Sequence, residues 1–154
     1  MSSHTSAPSA ISPALLRPVL SLSPQSKRWI VAYSGGVDSH VLLLLCQRFL
    51  ASLDRPPELI ALHINHQLQD CAGRWQQHCQ QQAEALGIGF ISETVSVVCG
   101  PRQSLEEQAR LARYACFESQ LDSGDVLLMG HHQDDQVETV MLRLLRGSGS
   151  KGLQ

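Results

Sequence analysis

The sequence predicts an α/β fold built on a doubly wound parallel sheet. Three observations lead there. From residue 29 onward, short β-branched runs alternate with longer helical stretches, the pattern of strands joined by crossover helices. Of the 154 residues, 43% are hydrophobic, enough for one core and too few for a second domain of ordinary size. The first apolar run, "WIVAY", breaks at two glycines and hands over directly to an apolar helix beginning near "DSH".

The elements follow in order. Residues 1–13 are rich in Ser, Pro and Ala and are expected to lack order, while 14–20 can form a short helix on the domain edge, limited by Pro18. The expected division is therefore an N-terminal segment, 1–27, and a folded domain, 28–154. Strands are expected at 29–33, 58–64, 89–97 and 125–129. The first helix, 38–53, stops at "RPPE" because proline cannot continue the hydrogen-bond ladder. The second, 72–86, has Gly87 as a left-handed cap. The third, 104–121, opens with a capping box of Ser104 and Glu107. A fourth, 134–145, ends at "RGSG". There is no internal repeat. The expected strand order is 3-2-1-4. Because the text stops at "KGLQ", where such a sheet would normally receive another strand, an edge is expected to lie open.

Composition narrows the partners. A formal net charge of -2 with pI near 6.4 does not describe a surface that holds nucleic acid by itself; a small ligand suits it better. A local basic face could still form from Arg102, Arg110, Arg113, Arg143, Arg146 and Lys151, whose plainer reading is a solvated surface. The five cysteines are an odd number without a CxxC pair, which argues against a disulfide framework or a thiolate metal site and for a reducing cytoplasm. No stretch has the pattern of a signal peptide or the length of a membrane span.

In a parallel α/β sheet, ligands collect beyond the carboxyl ends of the strands. "SGGVDS", residues 34–39, is expected there. Gly35 and Gly36 let backbone amides approach a ligand, and with Val37 and the free N–H groups of the following helix they make an anion nest, to which Ser34 and Ser39 add hydroxyls. The loop lacks the lysine of a Walker sequence and carries Asp38 instead, so a polyphosphate here requires a divalent cation, Mg²⁺, between it and the carboxylate. The plainer alternative is a strand-to-helix turn with Asp38 as its cap, worth about 1 kcal/mol. Ser34 as a nucleophile is disfavoured, since GxSxG is absent.

A second cluster, "GHHQDDQVET" at 130–139, follows the last strand and faces the first across the same cleft if strands one and four are neighbours. Asp134, Asp135 and Glu138 place three carboxylates within about one helical turn, an arrangement a cation or a proton relieves. Capping and a solvated acidic helix start are the alternatives. A zinc site from His131 and His132 with His63 and His66 ranks lower, because no standard zinc spacing is present.

"SGGVDS" after a buried strand resembles the phosphate loop of the PP-loop ATP pyrophosphatases, with their adenine nucleotide alpha hydrolase-like fold. Taken with "HINH" at 63–66, "SLEEQARLARYACF" at 104–117, and "GHHQDDQVET" followed by "LRLLRGSG", the chain from about 28 to 152 resembles the N-terminal catalytic domain of the tRNA(Ile)-lysidine synthetases. That resemblance implies a cytoplasmic ligase using ATP and Mg²⁺. ATP adenylates the wobble cytidine of tRNA(Ile) with a CAU anticodon, diphosphate leaves, and free L-lysine displaces AMP to form lysidine. It implies that Ser34 to Ser39 bind the phosphates, that Asp38 and Asp135 hold Mg²⁺, and that His132 touches the α-phosphate. Arg113 would offset charge as pyrophosphate leaves, Glu138 would handle the lysine or its proton, and His63 would lie near the adenine. No protein nucleophile is needed, since such chemistry asks chiefly for charge stabilisation.

Plainer readings stand beside these roles. Glu106 and Arg110 can be an i, i+4 surface pair, Arg113 a surface residue with its stem on Tyr114 or Phe117, His66 a pin for its loop, and Tyr33 sheet filler. Relatives more often have glycine where this chain has Gln67, and an apolar residue where it has Ser150. The linker and C-terminal domains that grip tRNA in that family have no counterpart here, which makes action of these residues alone on tRNA doubtful. The competing functions are a PP-loop tRNA thiolase, which would want paired cysteines or an iron–sulfur cluster, a PP-loop amide-forming synthetase, which lacks the HxxH and HHxDD combination, and a catalytically silent ATP-binding module.

Overall fold

β1 (Arg28–Ala32) becomes the centre of the sheet because its run of Trp29, Ile30 and Val31 is buried on both faces, a pattern that only a strand flanked by neighbours and covered by helices can satisfy. In this computed structural model, residues 12–67, 70–130 and 145–146 are described. β2 (Glu58–Asn65) and β4 (Val126–Leu128) lie parallel on either side of β1, and β3 (Gly89–Thr94) pairs in parallel with β2. The order 3-2-1-4 expected from the sequence is therefore present.

Two boundaries differ from expectation for physical reasons. β3 stops at Thr94 rather than continuing to residue 97. Its last register partner is Asn65, where β2 itself ends; after the Val95 N–H donates to the Asn65 carbonyl at 2.9 Å, there is no strand left to follow. At the other side, β5 (Leu145–Arg146) pairs antiparallel with β4 through Leu127↔Leu145 and Val126↔Arg146. Leu145 is thus in a strand and not at the end of a helix. The chain covers the outer edge of β4 with its own residues, which corrects the expectation of an open edge there. The rest of the expected fourth helix lies outside the described residues.

Helices cover both faces of the sheet. α2 (Val37–Ala51) and α3 (Ala72–Ala85) pack Leu42, Leu43, Cys46, Phe49, Cys79 and Ala83 against Trp29 and Val31. α4 (Leu105–Gln120) packs the opposite face, where Phe117 joins Ile30, Leu62, Leu127 and Met129. The Ser104 hydroxyl accepts from the Glu107 N–H at 3.4 Å and caps α4, but the Glu107 carboxylate turns to Arg110 at 2.8 Å. Arg110 therefore pairs with Glu107 at i, i+3, not with Glu106 as expected. Gly87 has φ +70° and follows α3 as the left-handed residue the sequence called for.

Pro18 does not break the N-terminal helix. A 3-10 turn (Pro13–Leu16) leads into α1 (Arg17–Leu22), which places Pro18 in the first turn, where its missing N–H has no partner to lose. Leu16 and Val19 are buried in the α2 side of the core, so this segment belongs to the packed body. At the amino end of the sheet, Arg28 Nε donates to both oxygens of Asp125 at 3.1 Å, and a second nitrogen of the guanidinium reaches Asp122 at 3.2 Å. Asp125 is 2% exposed, so removing Arg28 would strand a buried carboxylate at a cost of about 3–5 kcal/mol. None of the five cysteines is in a disulfide, and among the described residues no helix is long and apolar enough to cross a membrane.

Candidate functional site

The parallel order brings the carboxyl ends of β1, β2 and β4 side by side. The chain leaves β1 through Tyr33, whose N–H still donates to the Leu62 carbonyl at 2.8 Å. Gly35 then takes φ +85°, a conformation that an L side chain resists, and Gly36 becomes the N-cap of α2. The loop is tied internally: the Gly36 N–H donates to Ser34 Oγ at 3.2 Å, Ser39 Oγ to the Gly36 carbonyl at 3.1 Å, and the two hydroxyls lie 3.1 Å apart. Asp38 stands in the first turn of the helix, not at the cap position, which removes the plainer reading of it as an N-cap. First-turn amides of a helix lack an intrahelical carbonyl partner and carry the positive end of its dipole. Such a turn can seat an anion.

Beside it opens a cavity of about 360 Å³, within the ordinary range for a small-molecule site. Ser34, Ser39, His63, His66, Trp75 and Arg113 contribute to its walls, over an apolar floor that includes Leu62, Phe117 and Met129. His63 is 4% exposed and its Nδ1 lies 2.9 Å from the Tyr33 carbonyl. A carbonyl can only accept, so Nδ1 carries a proton and donates to it. The same ring stacks on Phe90 at 6.3 Å.

Two polar atoms on these walls lack a hydrogen-bond partner among the described residues: His66 Nδ1 and Arg113 Nε, both buried. Burial, then the Arg113 charge and His63, hold the His66 imidazole below its usual range, which favours the neutral ring. Among the described residues His66 Nδ1 therefore pins nothing in its own loop. The turn after β2 is set instead by Asn65, whose Oδ1 accepts from the Gln67 N–H and whose Nδ2 donates to Gln76, both at 2.9 Å. Gln67 holds φ +56° without being glycine.

Of the residues expected at the site, Ser34, Ser39, His63 and Arg113 share the cavity, while Gly35, Gly36, Val37 and Asp38 form the loop and helix start but are not among its lining residues. Arg113 also lies 5.9 Å from the Tyr114 ring, so its stem packs while its Nε stays buried at the site. His131, His132, Asp134, Asp135 and Glu138 lie outside the described residues. Gly130, which leads into them, does line the cavity, and a Cβ there would come within 3.3 Å of the Asp38 carbonyl. Among the described residues, no three His, Cys, Asp or Glu side chains group to hold a metal ion.

Three contributors were given no role from the sequence, although Asn65 lies within HINH. Asn65 shapes the turn; Trp75 and Cys79 press on the glycine loop from α3, where a Cβ on Gly35 would meet Cys79 Sγ at 2.6 Å and the Trp75 ring at 2.8 Å. Trp75, Cys79 and Ala83 recur at four-residue steps, so an apolar stripe was readable; that it reaches a ligand loop was not.

Comparison with known proteins agrees with this architecture. The description of the PP-loop domain matches residues 10–154. The tRNA(Ile)-lysidine synthase of Pseudomonas syringae pv. tomato is 48% identical over 141 residues, which cover 92% of this chain and 31% of that protein. That of Alkalilimnicola ehrlichii is 48% identical over 143 residues, 93% of this chain and 32% of its own, and that of Coxiella burnetii is 46% identical, over 90% and 30%. The chain spans a little under a third of the length of these curated relatives. With a glycine turn at the end of β1, a cavity across three strand ends and a match over nearly its whole length, the chain belongs to the PP-loop domain family.

Proposed function

We propose that this chain is the ATP-binding, adenylating part of a tRNA(Ile)-lysidine synthase. The observation that carries the reading is the shared cavity: the Ser34 and Ser39 hydroxyls beside the glycine turn, His63, and an arginine whose buried Nε has no partner among the described residues open onto one space of about 360 Å³. Buried polar atoms without partners are expensive unless a ligand supplies them. The names of the relatives supply the substrate class.

In this reading the residues 34–39 seat the triphosphate and His63 lies beside the adenine. The C2 oxygen of the wobble cytidine attacks the α-phosphorus, the bond to the β-phosphate breaks, and diphosphate leaves. Arg113 offsets the charge that departs with it, and His132 donates to the α-phosphate. The amine of L-lysine, its proton taken by Glu138, then attacks C2 of the adenylated cytidine, the C2–O bond breaks, and AMP leaves with that oxygen. Asp38 suits a cation site because a carboxylate at an anion seat needs a cation between, and Asp135 is its partner in holding Mg²⁺, which supplies charge neutralisation at the phosphates. Holding the body of tRNA(Ile), with its CAU anticodon, falls to segments other than these 154 residues, whose net charge of -2 does not suit that task. Five cysteines outside any disulfide suit the reducing cytoplasm in which such an enzyme works.

The test is AMP release by the whole protein that contains this chain. Release that requires both tRNA(Ile) and L-lysine supports the reading. Release without lysine, or transfer of sulfur to the tRNA, contradicts it and favours a different PP-loop enzyme; ATP binding without turnover favours a silent nucleotide module.

A further inference from the structure

Resting on the nucleotide reading above, we propose that Trp75 is a positioning residue for the phosphate seat: from α3, its indole holds the Ser34–Gly35 peptide in the orientation that aims the loop at the ligand. Trp75 is 44% exposed, an unusual setting for so large an apolar side chain, and yet it is not loose. Its indole Nε1 donates to the Ser34 carbonyl at 2.7 Å, its ring stacks on His78 at 5.1 Å, and its own backbone N–H is fixed by the Cys71 carbonyl at 3.0 Å. The contact joins residues 41 apart in sequence, so nothing local enforces it.

The consequence follows from peptide geometry. The Ser34 carbonyl and the Gly35 N–H are opposite ends of one planar trans unit, so fixing the direction of the carbonyl fixes the direction of the amide. A loop with Gly35 at φ +85° has more freedom than any other residue type would give it, and rotation of that peptide would turn the donor away. The indole hydrogen bond opposes that rotation. The ring adds a steric component, since it and Cys79 Sγ occupy the space a Gly35 side chain would need. Burial pushes the Cys79 thiol up to about 11, so it stays protonated and adds a weak S–H contact to the same carbonyl at 3.8 Å. Trp75 thus holds the loop while also lining the cavity, and acts on the phosphate seat through Ser34 and Gly35.

The variant Trp75→Phe removes the donor and keeps an aromatic ring. Titration calorimetry of this chain and of the variant, each with Mg·ATP and with adenosine, reads the effect. The expected result is an ATP Kd raised about five- to tenfold, the worth of one hydrogen bond, with a clearly smaller loss for adenosine, which does not use the phosphate seat. Unchanged ATP affinity overturns the proposal, and so does an equal loss for ATP and adenosine, which marks a merely structural tryptophan. A second measurement keeps the test independent of ligand: amide hydrogen exchange at Gly35 and Gly36 without nucleotide should quicken in the variant, and identical exchange overturns the latch. If the unmutated chain binds no ATP, the nucleotide reading itself has failed, a result distinct from the failure of Trp75 alone.

Discussion

The turns after β1 and β2 face the same cavity and are built on opposite principles. After β1 the chain uses glycine where φ is positive, ties its hydroxyls to its own backbone, and is backed by Trp75 and Cys79. After β2 it uses Gln67 at φ +56°, anchors that turn through Asn65, and leaves His66 Nδ1 unpartnered among the described residues. In the proposed reading the first turn offers backbone amides together with the Ser34 and Ser39 hydroxyls, and only its two glycine positions must be free of side chains. The second offers side chains, and accepts some backbone strain and an unsatisfied atom to present them.

The contrast is sharpest at Gly35. Gly35→Ala combines a positive φ with a Cβ 2.6 Å from Cys79 Sγ and 2.8 Å from the Trp75 ring. It should lower unfolding free energy by about 2–4 kcal/mol in a urea titration and abolish ATP binding. A loss below about 1 kcal/mol would mean that the loop and α3 separate readily, and that the first turn is no more rigid than the second.

The next effect concerns His66. Its folded-state imidazole is held below the usual 6.5 by burial first and then by Arg113 and His63, so the folded chain binds fewer protons than the unfolded chain as pH falls. The contribution is fully present above pH 6.5 and is lost as pH drops from there through the lower folded value. Chemical denaturation across this window should show stability falling on acidification, and His66→Gln should flatten that part of the profile. An unchanged slope in the variant would assign the acid sensitivity elsewhere.

The smallest effect is expected at Gln67. Gln67→Gly relieves left-handed strain but adds backbone freedom to the unfolded chain, leaving a gain of about 0.5 kcal/mol. A clear loss would show that the glutamine side chain itself stabilises the turn.

How far the sequence alone reached follows the same division. Strand order, the placement of the first three expected helices and the glycine turn were legible because burial on both faces, Gly-Gly after an apolar run and the Ser104 cap are local signals with one physical solution each. The partner of Arg110 was not, because Glu106 and Glu107 both lie within reach on a helix surface and only side-chain packing decides between them. Nor was the backing of Gly35 by Trp75, which depends on how α3 sits against the end of β1. Gln67 stood out in the sequence only as a departure from relatives, which more often have glycine there; that its backbone is left-handed was not read from it. Leu145 read as helical because periodicity in a short apolar run cannot separate a helix end from an edge strand.

Asp38 carries the central claim, that the turn after β1 seats a polyphosphate through a cation. Calorimetric titration of ATP into this chain, with and without Mg²⁺ and again for Asp38→Ala, tests it most directly. The account predicts binding that Mg²⁺ strengthens, with that increment abolished in the variant. Binding indifferent to Mg²⁺, or an increment that survives the loss of Asp38, would contradict it.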